Sequence, residues 1–216
     1  MKLTKLNDLD FITSFLQVNT VNGYKYIDKA GEIANLYSSV GKKPEIISIG
    51  ITGIEILNPT QNIDQIRITS SSVWAQFVSP KSLQFASDNF NNQVKTILGI
   101  IDVKEISRIG WRNQFIYEFK DGEVEKFETI NAPLLGGRYI NQSIQLKITE
   151  SISSVFSFQP IKTKDSKTIN ALLLDYDLYI ESLLSLDKIV KLLAQMAKHL
   201  TLEEGFIGYV NKIINN

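Results

Sequence analysis

Residues 169–180, INALLLDYDLYI, are apolar almost without interruption. A strand with so few polar positions belongs in the interior of a sheet, with neighbours on both sides. Any fold for this chain must therefore build a sheet wide enough to enclose that segment. The partners are legible nearby. Residues 9–19 read as a strand from their aromatic and β-branched content, and 45–85 as a meander of three or four antiparallel strands, with Asn58-Pro59 marking a turn. SVWAQFVS and KSLQFAS continue that meander around Pro80. Residues 103–119 form one long strand, and Asp121-Gly122 predicts a hairpin into a partner strand over 123–130. Further strands are expected over 138–149 and 151–161.

Four segments carry helical spacing. Asp28 is placed to cap a helix through Glu32, Ile33, Leu36 and Tyr37, with Gly41 and Pro44 as its stop. Asp88 precedes a single apolar face formed by Phe90, Val94, Ile97, Leu98 and Ile101. Leu186 to about Leu200 presents Ile189, Val190, Leu192, Leu193 and Met196 inward. Thr201-Leu-Glu-Glu204 matches a capping box and breaks that helix from a last one ending near Ile214. The order predicts an α+β fold of two linked halves, residues 1–130 and 131–216, or one continuous domain. Each half is a curved antiparallel sheet with helices on one face, and two C-terminal helices close the chain.

Chemistry is bounded by what the chain lacks. There are no cysteines, which removes disulfides, zinc-thiolate sites and thiol nucleophiles. The only histidine, His199, sits near a helix C-terminus, where a partly charged imidazole complements the helix dipole. Lysine plus arginine number 23 and aspartate plus glutamate 23, balanced in both halves of the chain, which argues against a polyanionic partner. The sequence shows neither an apolar leader nor a run of about 18 apolar residues, and predicts a cytoplasmic protein without a membrane span. Gly136-Gly137-Arg138 and Gly41-Lys42-Lys43 match no phosphate-binding fingerprint and read as turns, and no serine lies in a nucleophile elbow. The inventory predicts no catalytic residues, no metal and no cofactor.

Two constellations stand out as binding candidates. Arg108 and Arg112, two of the four arginines, share a strand face at spacing four, grouped with Ile106, Gly110 and Gln114, and Trp111 on the opposite face is a further binding candidate, as a stacking platform, against a place in the core. Asp175 and Asp177 share one face of the apolar strand, with Leu174, Tyr176 and Leu178 on the other. The guanidinium forks suit Asp175, Asp177 or Glu118, or an anion such as phosphate. An apolar strand ending in Asp-x-Asp also carries divalent metals in phosphate enzymes, which makes such an enzyme the third reading.

Arg108-Ile-Gly-Trp-Arg112, then Leu172-Leu-Leu-Asp-Tyr-Asp177, then His199 ahead of Glu203-Glu-Gly-Phe206 resemble, in that order, a sporadically distributed family of bacterial proteins. The resemblance spans residues 82–214. Trp111 stands where the family has Leu, and Asn113-Gln114-Phe115 where it has Tyr-x-Asn. The resemblance implies that Arg108, Arg112, Asp175 and Asp177 form one constellation. It also implies a gene carried on prophages, islands or phage-defence loci, and it brings no established activity. The leading expectation is a non-catalytic protein-binding module, a subunit of a phage-defence, toxin-neutralising or phage-encoded assembly, able to form a homodimer through strand edges. The first alternative is a nucleic-acid binder using Trp74, Phe77, Trp111, Phe115 and Tyr117 as stacking platforms, with Arg67, Arg108 and Lys104 on phosphates.

Overall fold

A computed structural model describes residues 3, 5–21, 23–38, 45–60, 63–120, 122–127, 142–163, 166, 168–201 and 205–215. Nine strands among these form one sheet: β1 (Asp10–Thr20), β2 (Glu45–Gly50), β3 (Gly53–Thr60), β4 (Ile63–Ile68), β5 (Ser72–Val78), β6 (Glu105–Glu118), β7 (Gln142–Lys147), β8 (Ser153–Ile161) and β9 (Ala171–Ser185). The longer helices are α1 (Ala30–Ser38), α2 (Leu83–Ile100), α3 (Ile189–Thr201) and α4 (Phe206–Asn215). The spatial order is β2-β3-β4-β5-β1-β6-β9-β8-β7, with each neighbouring pair antiparallel. The architecture is α+β. The apolar strand 169–180 lies inside the sheet as β9, between β6 and β8.

Alternation decides which face is covered. Leu172, Leu174, Tyr176, Leu178 and Ile180 on β9 are buried, as are Ile109, Trp111, Phe115 and Tyr117 on β6 and Ser14, Leu16 and Val18 on β1. Phe90, Val94, Ile97 and Leu98 of α2 join the same cluster, together with Leu193 and Met196 of α3 and Phe206 and Val210 of α4. The Phe206 ring meets Phe115, Phe156 and Tyr176, which seats α4 over β6, β9 and β8. Among the described residues, no helix covers the opposite sheet face over its central strands.

Several expectations are corrected. KSLQFAS is not a strand: α2 starts at Leu83, where Ser82 Oγ accepts from the Phe85 N–H at 3.1 Å, and Asp88 lies inside the helix. Leu83, Ala86, Phe90 and Val94 already carry the helical period, which overrides the β-branched tone of the preceding meander. EVEKFETI does not open as a strand. Residues 123–127 are helical, because Glu123 Oε2 accepts from both the Tyr117 hydroxyl at 2.7 Å and the Lys120 N–H at 2.8 Å. This fold-back also buries Phe127 against Phe119 and Phe158. Val190 is exposed rather than inward. The domain boundary at 130/131, the turns at 41–43 and 136–138, the Asp121 half of the expected hairpin and Leu202 to Glu204 of the capping box lie outside the described residues.

Candidate functional site

Each strand's second set of alternating residues forms the uncovered face. In register across its middle run Gln76, Phe15, Arg112, Asp177 and Val155, flanked by the row Arg67, Trp74, Gln17, Gly110, Tyr179 and Ser153. On the other flank lie Thr13, Gln114, Asp175 and Ser157. Arg108, Arg112, Asp175 and Asp177 are therefore brought together on adjacent strands β6 and β9. Ile106 does not join them. A register shift between Ile106 and Arg108 inserts an extra residue, so Ile106 turns into the core while Arg108 stays on the open side.

Arg112 and Asp175 form the strong pair. Arg112 Nε donates to both carboxylate oxygens at 2.9 and 3.0 Å, Nη2 donates to Oδ2, and the Gln114 amide adds a bond of 2.9 Å. The bond to Asp175 holds the Arg112 guanidinium above its ordinary pKa. Arg108 is held differently. Its guanidinium lies across Gly110, where a Cβ would come within 2.7 Å of Nη1, and it faces the Tyr179 ring at 5.4 Å. Glu181 stands 3.5 Å away and Asp177 3.7 Å, ion pairs without hydrogen bonds. Glu118, a partner expected from sequence, lies farther along β6 opposite Ala171. Asp177 itself accepts no hydrogen bond among the described residues, and burial raises its pKa against the pull of Arg108 and Arg112.

A small cavity of about 170 Å³ opens between these groups, lined by Phe15, Gln17, Arg108, Gly110, Arg112 and Asp177. The Phe15 ring leans on Trp74 at 5.1 Å. Sequence reasoning did not include Phe15, Gln17, Tyr179 and Glu181 in this constellation, although alternation along β9 through 175, 177, 179 and 181 places the last two on the Asp face.

Most of the remaining aromatic candidates belong to the core. Trp111 is fully buried, and its Nε1 donates to Ser14 Oγ at 2.7 Å, whose hydroxyl in turn donates to Asn113 Oδ1 at 2.9 Å. Phe77, Phe115 and Tyr117 are buried as well, so only Trp74 of the proposed stacking set reaches the open face. Lys104 pairs with Asp102 at 2.5 Å. His199 Nε2 hydrogen-bonds the Tyr176 hydroxyl at 2.8 Å and its ring stacks on that of Tyr176, while burial lowers the imidazole pKa and so works against the charged form expected of a helix cap. Among the described residues no three His, Asp or Glu side chains gather in a metal-binding group, and no helix is long and apolar enough to cross a membrane. Set against protein-family models, curated proteins and solved structures, the chain matches none of them.

Proposed function

We propose that this chain is a non-catalytic module that binds another polypeptide on the uncovered face of its sheet, as one subunit of a larger assembly. The observation that carries this reading is the composition of that face: the partly exposed Phe15–Trp74 aromatic pair beside an interlocked set of arginines and carboxylates. Aromatic anchors within a polar, hydrogen-bonding surround are the pattern of protein interfaces. A nucleic-acid backbone suits it less. Among the described residues, Arg67, Arg108, Arg112 and Lys147 stand against Glu55, Glu118, Asp175, Asp177 and Glu181 on the same face, so these residues offer no basic surplus to release counterions. In this reading residues 1–130 and 131–216 act as two linked, curved halves. The family resemblance adds the expectation that the partner is encoded beside the chain on a mobile element.

The test is purification of the tagged full chain from its host, in wild-type form and as the open-face variants Trp74→Ala and Arg67→Glu. The wild type is expected to retain a stoichiometric polypeptide that both variants lose while keeping the wild-type circular dichroism. Nuclease-sensitive absorbance at 260 nm in place of a polypeptide overturns the reading, as does a partner that both variants retain.

A further inference from the structure

Around the cavity beside Arg108, hydrogen-bond donors outnumber acceptors. The charged groups that line it are the Arg108 and Arg112 guanidiniums and the Asp177 carboxylate, a net charge of +1, and Asp175 and Glu181 lie outside its lining. A guanidinium carries five N–H donors and no acceptor. Arg112 commits Nε and Nη2 to Asp175, while its Nη1 donates to nothing among the described residues. Arg108 donates no hydrogen bond among the described residues. Its carboxylate neighbours, Glu181 at 3.5 Å and Asp177 at 3.7 Å, pair with it by charge and leave its N–H groups free.

Arg108 is nevertheless fixed in place. Only 26% of its side chain is exposed, and its guanidinium lies across Gly110 and against the Tyr179 ring. Donors held by packing and not spent in hydrogen bonds are preorganised, so little freedom is lost when an acceptor arrives. The space beside them is small. A volume of about 170 Å³ is well below the roughly 300–1,000 Å³ of small-molecule pockets and holds about six waters at roughly 30 Å³ each, the scale of one side chain. What these walls lack is an occupant that accepts hydrogen bonds and carries a single negative charge. A carboxylate does both, and its planar edge matches the guanidinium fork. A phosphate group, close to a dianion at neutral pH, exceeds the +1 of the lining and would crowd Asp177.

We infer that this cavity seats a single acidic side chain, aspartate or glutamate, of the polypeptide held on the sheet face, with the Arg108 guanidinium as its donor and the Phe15 ring as the wall for its stem. The inference rests on the protein-binding reading above and narrows it to a partner with a protruding carboxylate. Asp177 opposes this occupant. Neutralising Asp177 therefore strengthens the site, whereas it would weaken a site for a cation.

The test uses the full-length, ¹⁵N-labelled protein, blocked pentapeptides of glycine with a central glutamate or lysine, and inorganic phosphate, each added at millimolar concentration. The glutamate peptide is expected to shift the backbone amide resonances of Gly110 and Gln17, and the lysine peptide to leave them in place. Arg108→Gln, with wild-type circular dichroism, is expected to weaken the glutamate peptide by about tenfold or more, the loss of a charged donor. Asp177→Asn is expected to tighten it by about threefold, the relief of one like charge screened by water. Shifts produced by the lysine peptide and lost in Asp177→Asn overturn the inference. So do a glutamate affinity that Arg108→Gln leaves unchanged or Asp177→Asn lowers, and silence with both peptides. Shifts from phosphate with the glutamate peptide silent would make this a site for a free oxyanion, which also overturns it. If Trp74→Ala loses the native partner while Arg108→Gln keeps it in full, the cavity assignment falls and the protein-binding reading stands.

Discussion

Asp175 and Asp177 are two residues apart on one face of β9, yet their surroundings differ. Asp175 is 15% exposed and receives a bidentate guanidinium and an amide, while Asp177 receives burial without a hydrogen bond. Removing charge from each therefore has different results. Asp175→Asn is expected to cost about 1 kcal/mol at neutral pH, a bidentate charged pair discounted for the 53% exposure of Arg112. Asp177→Asn is expected to leave stability unchanged or raise it. The sign follows from linkage: a carboxyl whose folded pKa is raised binds its proton more readily in the native state. Its stabilising contribution is present at acid pH and lost as pH rises through the folded pKa. The gap between wild type and Asp177→Asn should thus close on acidification, and urea denaturation across pH measures it. A drop for Asp177→Asn as large as that for Asp175→Asn would contradict this account.

Among the elements, α3 and α4 are joined through His199 and Gly205. A Cβ at Gly205 would overlap the His199 carbonyl and crowd its imidazole, so the two helices meet at a point where only a hydrogen fits. Gly205→Ala is expected to cost about 1–3 kcal/mol, the range for overpacking, read as a lower denaturation midpoint. The imidazole gives the same junction a pH dependence. Burial lowers the His199 pKa from its ordinary 6.5, so the unfolded chain binds a proton that the native state refuses. Stability should fall as pH drops below about 6.5 and level off below the folded pKa; His199→Gln should flatten that interval. Much of this scale was legible in the sequence. Aromatic and β-branched content located β1, a nearly unbroken apolar run located β9, and strand spacing put Arg108 with Arg112, and Asp175 with Asp177, on shared faces. What failed was decided by contacts distant in the chain or by overlapping patterns. The irregularity between Ile106 and Arg108 appears only in the pairing with β1 and β9, and nothing in the local residues announces it. The helical turn over 123–127 was missed although Val124 and Phe127 stand three apart, a helical interval, because Asp121-Gly122 is so strong a hairpin signal.

At the scale of the whole molecule, the sheet is continuous through the β1–β6 pair, whose register runs from Asp10 opposite Ile116 to Thr20 opposite Ile106. One buried cluster draws on α2, β1, β5, β6, β9, α3 and α4. Unfolding is accordingly expected in a single transition, with near-ultraviolet and far-ultraviolet circular dichroism superimposing. Amide exchange should be slowest in β1, β6 and β9 at the centre and fastest in β2 and β7 at the two edges. Two separated transitions, or central strands that exchange as quickly as the edges, would show that the β1–β6 pair does not couple the strands on either side of it. The two tryptophans give this molecule a built-in pair of optical reporters. Trp111 lies sealed beneath the helices, and Trp74 sits against Phe15 on the bare side of the same sheet. With Trp111→Phe, all indole emission would come from the bare side, so whatever covers that side would announce itself as a change in colour or intensity from an unlabelled protein.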